Sequence, residues 1–134
     1  MFVDASAILA ILNREAESAI FANVLDRGPS RITSPIAIFE TTLGLCRAAH
    51  VSVEEAAATV TEFLQATDID CVAITQEDTR AALVAFARYG KGRGHPARLN
   101  MGDCFAYAAA RTRGVPLLYK GNDFTRTDIE SAVP

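Results

Sequence analysis

Leu99 to Phe124, LNMGDCFAYAAARTRGVPLLYKGNDF, decides how this chain folds. Asn100 is a good N-cap, and Cys104, Phe105, Ala108 and Ala109 recur at the spacing of one apolar helical face. Gly114 ends that helix with Pro116 just beyond, since glycine accepts the left-handed conformation of a helix end and proline cannot continue one. Val115 to Tyr119 is a short apolar run between Gly114 and Gly121, the pattern of a buried strand in a parallel sheet. The stretch is therefore one helix and one strand carrying two carboxylates, Asp103 at the helix start and Asp123 after the strand. A lone Asp at a helix start is ordinarily a dipole or capping device. Only convergence with other acids makes it a site.

Outward from this unit, the same alternation recurs. Phe2-Val3-Asp4 reads as a minimal strand running into a helical start at Ala5–Leu9, so Asp4 lies where a strand ends. Glu15 to Asp26 has helical spacing in Ala16, Ala19, Ile20 and Val24 and is stopped by Gly28-Pro29. Arg31–Thr33 makes a second short strand. Ser34-Pro35, an N-cap followed by proline at the first helical position, opens a helix to about His50 with Glu40 in its second turn. Ser52 and Glu55 form a capping box for a helix to about Ala66, with Val53, Ala57, Val60 and Leu64 on one face. Ile69–Ile74 reads as strand, and Thr75 with Asp78 opens a helix whose core face is Ala82, Phe86 and Tyr89. Gly90 to Arg98, GKGRGHPAR, is the one glycine-rich, basic stretch.

Strands alternating with helices predict an α/β fold, a parallel sheet with helices on both faces. With 134 residues, half of them apolar, one domain over 1–134 is expected. A net charge of −3 excludes a globally basic nucleic-acid binder, so any basic surface is local. Three cysteines far apart, Cys46, Cys71 and Cys104, suggest neither a disulfide framework nor a zinc site. The apolar opening MFVDASAILAIL has no basic flank, is interrupted by Asp4 and is too short to span a bilayer. No membrane association is expected, and a reducing cytoplasmic setting is the default.

In open parallel sheets ligands bind beyond the carboxyl ends of the strands. Asp4 and Asp123 fall there, and Glu40 and Asp103 lie in opening turns of helices, so four acids can converge on one edge. Asp4 and Glu40 sit among apolar neighbours, where an uncompensated carboxylate is costly. A cation is the natural compensation. Oxygen-only ligation favours Mg²⁺ or Mn²⁺ over zinc, and such ions serve phosphodiester hydrolysis by activating water and steadying charge on a phosphate.

The segments MFVDASAILAIL, SPIAIFE, LNMGDCFAYAAA and LLYKGNDF, in this order over essentially the whole chain, resemble the PIN-domain toxins of the VapC type. The resemblance implies a PIN-like three-layer α/β/α sandwich with a short central parallel sheet. It also implies a metal-dependent ribonuclease, a homodimer, and inhibition by a VapB-like antitoxin. The family's metal-binding acids fall on Asp4, Glu40, Asp103 and Asp123. Ser6 matches the small hydroxyl near the first acid, where it would orient a carboxylate or water, and Asn122 is a candidate substrate or supporting contact. The basic cluster Lys91, Arg93, His95 and Arg98 is the candidate RNA contact.

Two other classes stay open on the residues alone. A phosphoacceptor receiver domain shares acids and a lysine (here Lys120) at strand ends, but wants adjacent acids after its first strand and has no use for Glu40. A catalytically silent metal- or RNA-binding module is the other. Gly92-x-Gly94-x-x-Ala97 formally matches a dinucleotide fingerprint, yet it follows a helix and contains Pro96, so it reads as a loop.

Overall fold

The computed structural model describes residues 1–134. Four short strands, β1 (Phe2–Val3), β2 (Arg31–Thr33), β3 (Ile69–Cys71) and β4 (Leu117–Leu118), form one parallel sheet in the order β3-β2-β1-β4. Between them run α1 (Ala5–Leu12), α2 (Ser18–Arg27), α3 (Pro35–Ala49), α4 (Val53–Ala66), α5 (Gln76–Tyr89) and α6 (Met101–Arg113).

Two-residue strands suffice because each residue serves one face. Phe2 and Leu117 pack with Ala82, Ala85, Tyr89 and the alanines of α6 on one side. Val3 and Leu118 pack with Ile8, Phe21, Leu25 and Ile69 on the other. The sheet is thus sandwiched between α5–α6 and a layer that includes α1 and α2. Helix α3 packs against α1, α4 and α6, which brings Glu40 to the start of α6.

The predicted capping signals are all made. Ser34 accepts from the Ala37 amide, and the boxes Ser52/Glu55, Thr75/Asp78 and Asn100/Asp103 close reciprocally. His50 ends α3 with φ 55°, and Gly114 ends α6 with φ 62°. The strands are shorter than the apolar runs suggest. Val115–Tyr119 narrows to Leu117–Leu118, and Ile69–Ile74 to Ile69–Cys71, because pairing ends where β1 and β2 end. Helix α2 starts at Ser18, after a turn in which Arg14 takes φ 54°.

Apolar-face residues of the sequence reading are exposed at Ile20 (52%), at Val53 (55%) and, on the expected core face of α5, at Phe86 (41%). Ala85 takes the place of Phe86, because α5 lies close against the alanine-rich face of α6 and only a small side chain fits between them. The Asp78 carboxylate locks the same two helices, accepting from Arg113 Nη1 at 2.8 Å and Thr112 Oγ1 at 2.6 Å. The C-terminal segment returns beside β4, where Leu117 N donates to the Glu130 carbonyl and Ala132 N to the Leu117 carbonyl. Asp128, accepting from both Tyr89 and Tyr107 hydroxyls, ties that segment to α5 and α6.

Candidate active site

Each acid owes its place to local backbone chemistry. Asp4 follows β1 and is the N-cap of α1, with one carboxylate oxygen accepting from the Ser6 amide at 3.0 Å and from the Ser6 hydroxyl. The Ser6 hydroxyl in turn accepts the Lys120 amide at 3.0 Å, so its proton is directed to Asp4. Ser6, in the first turn of α1, therefore ties the Asp4 carboxylate to the loop after β4. Asp103 is the third residue of α6, and one of its oxygens accepts from the Asn100 amide at 3.0 Å in the reciprocal box. Glu40 projects from α3 against Gly102 of α6. Asp123 stands just before the 3-10 turn Phe124–Arg126, exposed and without a capping bond. Asn122 is exposed beside it.

Electrostatics links all four. Burial, followed by the negative charges of Asp4 and Asp103, pushes the Glu40 carboxyl up to about 7. Burial likewise pushes Asp103 up to about 6, with Asp4 and Asp123 adding to it against the Asn100 amide bond. Asp4, only 6% exposed, is also raised by burial, although the Ser6 bonds oppose the shift. The acids therefore converge on one edge, as the strand-end argument expects, in a mutually repulsive set with no cation of the chain bonded to it. They do not form a closed cage, for no three of them stand close enough together to grip one ion. Asp4 and Asp103 each commit one oxygen to a helix cap, which leaves the other free. The donor chemistry, carboxylate oxygen only, fits a hard divalent cation.

None of the remaining expected residues forms an ion pair with this carboxylate set. Lys91, Arg93 and Arg98 are exposed on the loop between α5 and α6, whose ends are bridged at Gly90 and Leu99. Arg93 lies over the Phe86 ring. His95 is half-buried, edge-on to Tyr89, and its Nδ1 accepts the Ala97 amide at 3.1 Å. Lys120 points to Glu15 and Glu17 at the α1–α2 junction, pairing with Glu17 at 3.3 Å and more closely with Glu15. Its ammonium is thus already neutralised, unlike the free strand-end lysine that a receiver site would want. Two features escape the sequence reading. The Glu15–Lys120 contact spans 105 positions and has no local signal, whereas Gly102, a glycine inside a helix's first turn, is visible as an anomaly of propensity.

The comparisons with known proteins identify the family and the fold. The PIN domain family model matches residues 1–130. A VapC ribonuclease of Rhizobium meliloti is 42% identical over 96% of this chain and 98% of its own length. Ribonuclease VapC42 of Mycobacterium tuberculosis is 39% identical over 98% of each. Among solved structures, the M. tuberculosis toxin VapC20, described as cleaving the sarcin-ricin loop, superposes with a TM-score of 0.78 at 20% identity, covering 99% of this chain and 98% of that one. A toxin–antitoxin complex from Klebsiella pneumoniae gives 0.68 at 16% identity over 95% and 92%. These two structures speak for the fold, and the sequence relatives speak for the kind of enzyme. The chain belongs to the PIN domain family, as an endoribonuclease toxin of the VapC type.

Proposed function

We propose that this ribonuclease works through Asp4, Glu40, Asp103 and Asp123, an open set of carboxylates at the carboxyl edge of the sheet that binds Mg²⁺ or Mn²⁺ partly through the waters such an ion retains. The observation that carries the reading is the linked perturbation of Glu40 and Asp103, each raised by burial and by the carboxylates beside it. A divalent cation bound there offsets that repulsion, activates water and steadies the charge on the phosphate. The protein's own part is orientation. Ser6 holds Asp4, the Asn100 box holds Asp103, and Glu40 and Asp123 bring two further carboxylates to the same edge. Asn122 is placed to contact substrate or support Asp123.

RNA approaches along the loop of Lys91, Arg93, His95 and Arg98, which supplies a local positive surface on a chain of net charge −3. Leu83, Phe86 and Met101 line one apolar groove, and Phe39 and Met101 another beside Glu40. This uncovered apolar area favours a homodimer. A VapB-like antitoxin silences the enzyme by presenting an arginine or lysine to the unpaired carboxylates.

The test is cleavage of RNA by purified protein with chelator, Mg²⁺ or Mn²⁺, before and after antitoxin addition. Metal-dependent cleavage lost on adding the product of the adjacent small reading frame is the expected result. Full activity in chelator sinks the metal assignment, and activity untouched by the candidate antitoxin sinks the partner.

A further inference from the structure

Gly102 is the second residue of α6, one position before Asp103, and it is buried. Its backbone does not occupy the left-handed region, so nothing in its conformation demands glycine. Glycine is moreover the poorest helix former after proline. What stands in the place of a side chain is Glu40: a Cβ added at Gly102 would fall inside contact distance of Oε1, Cδ and Oε2 of that residue. No other glycine in the chain has a carboxylate in this position.

We propose that Gly102 is a positioning residue, whose missing side chain leaves the space in which the Glu40 carboxylate stands against the start of α6, beside Asp103. By this contact α6 sets the reach of a group on α3. The inference rests on the assignment of Glu40 to the metal-holding set. Its distinguishing feature is that the obstructed atoms are the free end of a flexible side chain. A methyl group at position 102 is relieved by swinging Glu40 aside and leaves α6 where it is. Stability and metal affinity therefore respond in different directions.

The experiment is a double-mutant cycle read by calorimetric Mn²⁺ titration and by thermal melts in chelator. Gly102→Ala should melt at or above the wild-type temperature yet bind Mn²⁺ at least about 10-fold more weakly, the scale of losing a group that orients a ligand. In a Glu40→Ala background the same change should alter Mn²⁺ affinity by less than about twofold, because no carboxylate is left to displace. Wild-type affinity in Gly102→Ala, with Glu40→Ala weakened, overturns the positioning role alone. An equal loss in both backgrounds overturns it too, since α6 itself would then be disturbed. Unchanged affinity in Glu40→Ala overturns the metal assignment and the inference with it. If Gly102→Ala does not fold, the double variant decides: a clash with Glu40 alone lets it fold, and its failure refutes the proposal.

Discussion

Asp4 ends a strand, caps a helix and faces two other carboxylates, so one side chain serves both the fold and the site. Those tasks conflict, because the cap needs only an oxygen acceptor whereas the site accumulates charge. Replacing each acid by its amide separates them. Asp4→Asn, Glu40→Gln, Asp103→Asn and Asp123→Asn should each lower RNA cleavage at least about 100-fold while the protein stays folded. In chelator at neutral pH, Asp103→Asn should melt above wild type, and Mn²⁺ should stabilise wild type far more than the variant. Near-wild-type turnover in two of the four, or equal metal stabilisation, argues against one shared cluster.

The pH dependence has a definite sign. Glu40 rises from 4.5 to about 7 and Asp103 from 3.8 to about 6 on folding, so the folded chain holds more protons than the unfolded chain between these limits. Stability is full below the unfolded values and is lost as pH climbs through about 6 and 7. Melting temperature in chelator should therefore fall from pH 5 to pH 7.5, and the double variant Glu40→Gln/Asp103→Asn should flatten that slope. Asp78 acts in a different window. Burial alone would raise it, but the bonds from Arg113 and Thr112 outweigh burial and hold it well below the usual range. Its contribution is present above the ordinary aspartate pKa and disappears only in stronger acid. An unchanged slope in the double variant would mean that other groups titrate.

At the scale of elements, the cap signals at Ser52, Thr75 and Asn100 were legible to the residue, because a side chain three positions away answers each of them. The helix ends at His50 and Gly114 were equally plain. Strand length was not, since it depends on how far a partner strand extends, and Phe86 was misread because periodicity cannot tell how closely two helices approach. That Asp4, Glu40, Asp103 and Asp123 come near one another could be read from their places at strand ends and helix starts. Their distances from one another could not. The contacts that fix them, Gly102 against Glu40 and Lys120 to Ser6, join segments far apart in the chain.

Two predictions belong to this scale. Arg113→Met leaves the 2% exposed Asp78 without its guanidinium and should cost about 2–4 kcal/mol by denaturant titration. A cost within error of zero would mean that water or Thr112 compensates in full. Substituting Lys91, Arg93 and Arg98 together by glutamine should reduce the salt slope of single-stranded RNA affinity by about two units, roughly 0.7 per phosphate contact. An unmoved slope would leave the loop a structural or antitoxin-facing element.

For the molecule as a whole, the uncovered apolar surface is concentrated on α3, α5 and the start of α6. Phe39 is 64% exposed, Leu83 64%, Val84 67% and Met101 67%. If a second copy covers it, Leu83→Glu with Met101→Glu should convert a dimer into a monomer by light scattering without lowering the melting temperature of the monomer. A wild-type protein that is monomeric at high concentration would remove the dimer from the account.

The strand order carries a consequence in time. β1 lies between β2 and β4, and the Phe2 and Asp4 amides bond to the Pro116 and Leu118 carbonyls. The first acid to be synthesised is thus held by backbone made more than a hundred residues later, and Asp123 follows later still. At ribosomal speeds of about 5–20 residues per second, the interval is on the order of ten seconds. Throughout it the nascent chain has its first carboxylate but neither the strand that seats it nor its last companion. On the proposed site, a chain that stops before Leu117 should therefore cleave no RNA, for it lacks both the strand that seats Asp4 and the later Asp123.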